Sequence, residues 1–253
     1  MPAYEYDLND DERELARLMR DFADEVVAPR SYAADTAHEL PLDVVAQMGE
    51  MGLFGLPFPE EYGGQGGDYF ALGLAIEAIG RVDQSLAITL EAGVSLGAMP
   101  VFRFGTPAQR EELLPDLLSG AALAGFGLTE PEAGSDAGAT RTTARLDGDE
   151  WVIDGSKQFI TNSGTAITRF VTVTAVTGER DGAKEISTII VPNSTPGFTV
   201  GPAYDKVGWH ASDTHPLTFA GARVPAGNLL GERGRGFANF LHILDEGRIA
   251  IAA

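Results

Sequence analysis

The period of the hydrophobic pattern changes twice along the chain, and this limits the possible folds more than any other feature. Up to about residue 122 apolar residues recur at helical spacing, whereas over 123–232 short alternating runs predict at least six strands, and helical spacing returns from Phe237. Segregated helices and strands are typical of a multidomain α+β protein. We predict an N-terminal all-α helical domain over 1–122, a middle small β-barrel or sandwich domain over 123–232, and the start of a C-terminal helical bundle over 233–253.

Turn and capping residues set the expected boundaries of these elements. An amphipathic helix is predicted over 10–28, with Pro29 as its stop, and two apolar helices over 69–80 and 84–102. In the β region, Asp147-Gly148 predicts a hairpin with a type I′ turn. The Pro- and Gly-rich stretch 53–67 predicts a loop. No Gly-Lys-Ser/Thr follows it, so the sequence does not indicate a nucleoside-triphosphate site.

The composition indicates a soluble, folded protein. Its 253 residues are 44% hydrophobic, which supports a proper core, and no run of 18 apolar residues occurs, so we expect no membrane insertion. The first residues are acidic and do not resemble a signal peptide. The absence of cysteine excludes disulfides, thiolate nucleophiles and cysteine-bound metals, and it fits a cytoplasmic location.

The charge balance excludes one class of partner. The chain has 37 acidic and 18 basic residues, a net charge of −19, and such a field repels nucleic acids and anionic lipids. Only three of the basic residues are lysines. Acid-rich, lysine-poor surfaces suit concentrated salt, where self-repulsion is screened, and we predict a halophilic source.

Two loops carry most of the information about function. Residues 127–139 contain three spaced glycines, which let backbone N–H groups approach a ligand, while Thr129 and Ser135 add hydroxyls that donate and accept hydrogen bonds. Such a loop can hold a phosphate-bearing cofactor, and the alternative is an ordinary polar surface loop. The second loop, 159–164, reads Phe-Ile-Thr-Asn-Ser-Gly and favours the cofactor interpretation. We predict no metal site, because the four histidines lack the spacing of metal ligands; they are His38, His210, His215 and His242.

Several separated motifs resemble those of the acyl-CoA dehydrogenase family across essentially the whole chain. They are Pro59-Glu60-Glu61-Tyr62-Gly63-Gly64, Leu128-Thr129-Glu130-Pro131 with Ala133-Gly134-Ser135-Asp136, Gly155 with Lys157, Phe159-Ile160-Thr161-Asn162, Val224-Pro225, and Gly231 with Gly236-Phe237. The resemblance implies a helical domain, a β domain and a C-terminal four-helix domain. It also implies an FAD cofactor between the last two domains and a neighbouring subunit.

The resemblance assigns roles to individual residues. Thr129 would bond the pyrimidine edge of the flavin, Ser135 would lie near the pyrophosphate and the CoA thioester, and Thr161 would reach toward flavin N5. Reduction places negative charge on the flavin, which oriented donors stabilise. The full set of implied cofactor contacts is Phe126, Gly127, Leu128, Thr129, Gly134, Ser135, Phe159, Ile160 and Thr161.

The same resemblance places the substrate and the base. Ser135, Asp245 and Arg248 would contact the acyl-CoA, although the spacing of Asp245 and Arg248 also fits an exposed ion pair within one helix. A minority of the family has its catalytic glutamate at the position of Gly247, so the glycine implies the commoner arrangement. There the base belongs to a C-terminal segment that we expect to lie beyond Ala253. We therefore identify no catalytic residue and expect the 253-residue chain to be weakly active or inactive alone.

Two departures and two alternatives accompany this interpretation. Many relatives have tryptophan where Phe159 stands and arginine where His210 stands, so a ring donor and a permanent charge are lost.

The implied partners are an acyl-CoA substrate, an electron-transfer flavoprotein as electron acceptor, and further copies in a dimer or tetramer. The alternatives are a flavin oxidase or monooxygenase of the same fold, and a non-catalytic acyl-CoA- or protein-binding scaffold.

Overall fold

The computed structural model describes residues 8–253 and confirms the predicted fold class: helices, then a β-sheet region, then a further helix. The helices are α1 (Asp10–Phe22), α2 (Ala28–Ala37), α3 (Leu42–Glu50), α4 (Tyr69–Gly80), α5 (Gln84–Glu91), α6 (Met99–Phe104), α7 (Pro107–Leu118) and α8 (Gly236–Ala252). The strands are β1 (Leu123–Gly127), β2 (Thr143–Asp147), β3 (Glu150–Thr161), β4 (Thr168–Arg180), β5 (Ala183–Pro192), β6 (Phe198–Val200), β7 (Thr214–Pro225) and β8 (Leu229–Leu230).

The predicted stop at Pro29 is wrong, because the helical path continues through it. A π-helical turn, Ala23–Val27, joins α1 to α2, and the Ala28 N–H donates to the carbonyl of Ala23, five residues back. A second π-helical turn, Ala92–Ala98, precedes Pro100 in the same way. Proline is tolerated in the first turn of a helix, where its missing N–H is not needed. Each π turn thus lets the chain start a new α-helix at a proline without a break.

The strands form one connected sheet in the order β6-β7-β3-β2-β4-β5-β8, with β1 paired in parallel to β4. β2 and β4 share a single residue pair, Thr143 with Val176, so the sheet folds there into two halves. One apolar cluster takes Trp151, Ile153 and Phe219 from one half and Val173 and Ile189 from the other. The two halves therefore enclose a core between them, as expected of a sandwich.

The hairpin between β2 and β3 exists, but its turn differs from the prediction. Asp147 pairs with Glu150, so the two-residue loop is Gly148-Asp149 and not Asp147-Gly148. Gly148 has φ +63°, whereas Asp149 keeps a negative φ. A positive φ at only the first central residue is the type II′ pattern, in which glycine takes that position. The sequence signal found the hairpin and misplaced its centre by one residue.

The helical core extends onto the β region and α8. Its buried residues include Leu90 and Val94 of the central helical path, Phe126 of β1, and Phe240 and Ile243 of α8. The continuous helix Gln84–Phe104 is the one helix of residues 8–253 that is long and apolar enough to cross a membrane by length and composition. Its most apolar window is 83% buried inside the protein, which is the environment of a core helix.

Candidate cofactor and substrate site

A buried ion pair anchors the first loop. Glu130 is 5% exposed and Lys157 is inaccessible, and the Lys157 Nζ lies 2.8 Å from a Glu130 carboxylate oxygen. That carboxylate also accepts from the Thr140 hydroxyl, from the Arg141 N–H at 2.6 Å and from the Thr142 N–H at 3.0 Å. Buried charges are stable only when paired and hydrogen-bonded in this way. The two ends of the 127–139 loop are therefore tied to β3 and to each other.

Protonation follows from these contacts. Burial alone would raise the pKa of Glu130, but the Lys157 ammonium and the donated hydrogen bonds outweigh it and lower the pKa to about 2. Burial lowers the pKa of Lys157 to about 8, against the opposing effect of Glu130. Both groups are thus charged at neutral pH. Glu130 therefore serves as an ionised anchor of the loop.

The same lysine joins the two loops predicted to form the site. Lys157 Nζ donates to the Leu128 carbonyl at 3.1 Å, and the Gln158 N–H donates to the Thr129 carbonyl at 2.8 Å. Residues 128–130 and 157–159 therefore lie side by side. Sequence motifs 27 residues apart are brought together as predicted, through one side-chain and one backbone hydrogen bond that no motif reveals.

The hydroxyls of the first loop are available to a ligand. Thr129 is half-buried and Ser135 is exposed, and neither hydroxyl makes a hydrogen bond to any residue from 8 to 253. Gly134 is exposed as well. Gly127 has a packing role, since a Cβ there would lie 3.0 Å from the Thr172 carbonyl oxygen. Glycine at 127 is explained by the strand pairing of β1, without a ligand.

A backbone irregularity presents Phe159 to solvent. The β3–β7 pairing shifts register between Lys157 and Ile160, and Phe159 has φ +60°, which is uncommon for a bulky residue. The ring is 60% exposed and lies 4.9 Å from the ring of Tyr204, centroid to centroid. A strained aromatic residue on a strand bulge is typical of a binding site.

The other implied cofactor contacts face the protein interior. Ile160 belongs to the sandwich core and is 3% exposed, and Leu128 belongs to the helical core. The Phe126 ring stacks on Phe240 of α8 at a centroid distance of 3.7 Å. Thr161 is half-buried at the end of β3. Of the implied set, the side chains of Thr129, Ser135 and Phe159 are the most open to a cofactor.

Asp245 and Arg248 form the exposed ion pair that their spacing also allowed. Arg248 Nε lies 3.6 Å from an Asp245 carboxylate oxygen, and the two side chains are 73% and 76% exposed. Among residues 8–253 each forms an ion pair only with the other. The structure leaves both available on the surface of α8 and does not join them to the loops.

Sequence reasoning missed a buried carboxylate beside α8. Glu91 of α5 is 4% exposed, and its Oε1 lies 3.3 Å from the place that a Cβ on Gly247 would occupy. Burial raises the pKa of Glu91 to about 7. It lines a cavity of about 410 Å³ between α4, α5 and the end of α8, together with Ile76, Ala87 and Ala250. A single carboxylate within the apolar run 84–102 was the available signal.

Comparison with known proteins identifies the family. Residues 9–121 match the model of the acyl-CoA dehydrogenase N-terminal domain, and residues 125–222 match that of the acyl-CoA dehydrogenase middle domain. The chain belongs to the acyl-CoA dehydrogenase family. It is 48% identical over 249 residues to a probable acyl-CoA dehydrogenase of Bacillus subtilis, which covers 98% of this chain and 65% of that relative.

Solved structures agree with this assignment. Butyryl-CoA dehydrogenase from Megasphaera elsdenii has a TM-score of 0.92 and 39% identity, over 98% of this chain and 65% of that one. An acyl-CoA dehydrogenase from Bacillus anthracis complexed with FAD has a TM-score of 0.88 and 37% identity, over 96% of this chain and 41% of that one. The acyl-CoA dehydrogenase family resemblance drawn from the separated motifs is thereby confirmed. The chain spans about two thirds of the length of the first curated relatives that it matches, with shares of 65% and 62%.

Proposed function

We propose that this chain forms the flavin-binding and part of the acyl-CoA-binding portion of an FAD-dependent acyl-CoA dehydrogenase. The observation that carries the proposal is the loop pair fixed by Glu130 and Lys157, which leaves the Thr129 and Ser135 hydroxyls and the Phe159 ring open. Free donors beside an exposed aromatic face fit a flavin, which presents both a planar ring and polar edges. The FAD in the related Bacillus anthracis structure supports the same assignment.

The proposed reaction is α,β-dehydrogenation of an acyl-CoA thioester to the trans-2-enoyl-CoA. When bound, FAD would supply the hydride acceptor for this reaction. The residues of this chain would orient the reactants: Thr129 donates to the ring edge, Ser135 to the phosphate or thioester end, and Phe159 covers a ring face. Such fixed donors stabilise charge that develops in the transition state. By family resemblance, the glutamate that takes the α-proton belongs to the C-terminal domain, outside the motifs matched here.

Binding of FAD to the purified chain tests the proposal directly. We expect that Thr129→Ala, Ser135→Ala and Phe159→Ala each weaken FAD binding about fivefold, since a hydrogen bond or an aromatic contact contributes on the order of 1 kcal/mol. Thr199→Ala is the matched control, because Thr199 is an exposed hydroxyl on β6. Flavin absorbance after gel filtration and a fluorescence titration measure the affinity.

Three outcomes would contradict it. A wild-type chain that stays colourless with excess FAD would favour the scaffold alternative, and equal FAD affinity in all four variants would move the flavin away from this loop pair. Rapid reoxidation by O₂, and none by an electron-transfer flavoprotein, would favour an oxidase or monooxygenase.

We propose the electron-transfer flavoprotein as acceptor and a dimer or tetramer as the assembly. We also propose a cytoplasmic, salt-rich setting, which is supported by the absence of cysteine and by the net charge of −19.

A further inference from the structure

The loop between β6 and β7 crosses from the β region to the helical domain, and its residues 206–212 are called the strap here. Trp209 Nε1 donates to the Gln84 side chain at 2.7 Å, and the His210 N–H donates to the Asp35 carboxylate at 3.0 Å. The Trp209 indole lines the 410 Å³ cavity that also contains Glu91. The strap therefore supplies one wall of a cavity whose other walls are helices.

Trp209 is held in a backbone conformation that it would not adopt unaided. Its φ is +55°, in the left-handed region that bulky side chains rarely occupy. Strained residues of this kind persist only where surrounding contacts fix them. Three sets of contacts fix Trp209 in this conformation. Its indole N–H donates to Gln84, and its carbonyl accepts from the Ser212 N–H at 3.0 Å. The next residue, His210, makes further hydrogen bonds.

The bonds of His210 require a protonated ring. Nδ1 lies 3.0 Å from an Asp35 carboxylate oxygen, and Nε2 lies 2.7 Å from the Lys206 carbonyl oxygen. Both partners are acceptors, so both ring nitrogens must donate, and only the imidazolium carries two N–H groups. In the neutral ring one nitrogen would face an acceptor with its lone pair. One of the two bonds, and the charge attraction to Asp35, would then be lost.

We propose that His210 and Asp35 form a proton-dependent clasp that holds the strap and positions Trp209 as a movable wall of the cavity. The clasp is closed while His210 is charged and opens when it is neutral. His210 is a positioning residue in this arrangement, since it acts on the cavity through Trp209. The inference concerns a surface apart from the flavin loops and does not depend on the proposed function.

The charges around His210 favour the closed state near neutral pH. Its hydrogen bond to Asp35 raises the pKa of His210, and the same bond lowers the pKa of Asp35. The clasp is therefore complete below the ordinary histidine pKa and is lost as pH rises through the raised one. At the acid end it is lost as pH falls through the lowered pKa of Asp35. The titratable groups facing His210 are Asp35 in α2, His38 and Glu39 just after α2, Asp205 and Lys206 in its own loop, and Asp213 and His215 at the start of β7.

His215 is a competing source of pH dependence, because its ring is also bonded at both nitrogens. Nδ1 lies 2.7 Å from the Gly201 carbonyl oxygen, and Nε2 lies 2.8 Å from Asp213. Both of these contacts stay within the β region, whereas the His210 contact with Asp35 joins it to α2. The experiment must therefore change His210 alone.

Acrylamide quenching of tryptophan fluorescence tests the clasp. Trp209 is 46% exposed and the other tryptophan, Trp151, is 3% exposed, so the quencher reports on Trp209, and Trp209→Phe gives the background. We expect quenching in the wild-type chain to rise about twofold from about pH 6 to about pH 9, as the docked indole becomes fully exposed. In His210→Gln we expect Trp209 to be quenched at both pH values as strongly as in the wild-type chain at about pH 9. In His210→Arg, which keeps the charge, we expect Trp209 to stay protected from the quencher at both pH values.

The outcomes separate the clasp from a merely structural histidine. Circular dichroism first establishes that each variant is folded. A pH response that persists in His210→Arg would assign the effect to His215 or another group and overturn the proposal. Protection of Trp209 in folded His210→Gln at about pH 6 would overturn it too. Asp35→Ala, which removes the partner and leaves His210 intact, should reproduce the Gln variant.

Discussion

Glu130 and Glu91 are almost equally buried, at 5% and 4% exposure, yet their pKa values lie on opposite sides of the ordinary value. Glu130 meets an ammonium and three further donors, and its pKa is about 2. Glu91 has the hydroxyl of Ser95 beside it and no ion pair with any residue from 8 to 253, and its pKa is about 7. Burial therefore raises the pKa of both carboxylates, and only the donors around Glu130 outweigh that effect.

The largest test of this comparison removes the charge of Glu130. In Glu130→Gln the Lys157 ammonium stays buried without its counter-charge, and we expect the free energy of unfolding to fall by about 3 to 5 kcal/mol. Urea unfolding followed by circular dichroism measures the change. Glu132→Gln is the matched control, since Glu132 makes only an exposed ion pair with Arg141 and should change stability by less than about 1 kcal/mol.

A double variant sharpens the same result. Glu130→Leu combined with Lys157→Met removes both buried charges, and we expect it to recover part of the loss, because no unpaired charge remains. If Glu130→Gln were as stable as Glu132→Gln, the ion pair would not be the anchor of the loop. Reduced FAD binding in Glu130→Gln, with the chain still folded, would connect the anchor to the cofactor site.

The second test concerns the pH dependence that Glu91 confers. Its pKa rises from 4.5 to about 7 on folding, so between these values the folded chain binds more protons than the unfolded one. Stability should therefore fall as pH rises from about 4.5 to 7, by about 3 kcal/mol at about 1.4 kcal/mol per unit, and then level off. Glu130 has the opposite sign, since its contribution is complete above about 4.5 and is lost toward pH 2.

Glu91→Gln isolates this slope. The neutral amide cannot titrate, so the fall in stability between about pH 4.5 and 7 should disappear in unfolding curves measured at several pH values. Glu77→Gln is the control, because Glu77 lies near the same cavity on an exposed position of α4. An unchanged slope in Glu91→Gln would mean that this carboxylate is ionised in the folded chain.

The sequence revealed neither the ion pair of Glu130 nor the burial of Glu91, for physical reasons. Periodicity placed the helix at 69–80 as observed, because its apolar face is built from local spacing. The pairing of Glu130 with Lys157 was not predicted, since it depends on how β3 lies against the loop. Glu91 was passed over because one acid in an apolar helix does not disturb the pattern. The π turn before Pro29 was missed because proline is read as a stop, although a widened turn accommodates it, and the π turn before Pro100 lies within a helix predicted as continuous over 84–102.

The motifs predicted which two loops form the candidate site, and they did not predict its geometry. The two loops and their proximity follow from the resemblance, whereas the exposure of each side chain follows from packing. Phe126, Leu128 and Ile160 are among the implied cofactor contacts and yet face apolar cores. A family motif includes both the residues that contact a cofactor and the residues that pack behind them. The motif alone does not separate these two groups.

The smallest expected effect comes from the solvent-exposed ion pair of Asp245 and Arg248, in contrast to the buried ion pair of Glu130 and Lys157. Asp245 and Arg248 are more than 70% exposed, so their ion pair is screened and should contribute no more than about 0.5 kcal/mol. Arg248→Ala, Asp245→Ala and the double variant form a cycle that measures the coupling in urea unfolding. A coupling above about 1 kcal/mol would contradict the contrast between exposed and buried pairs. If stability is unchanged and CoA binding is weakened, the exposure of this pair would instead serve the substrate, as the family resemblance implies.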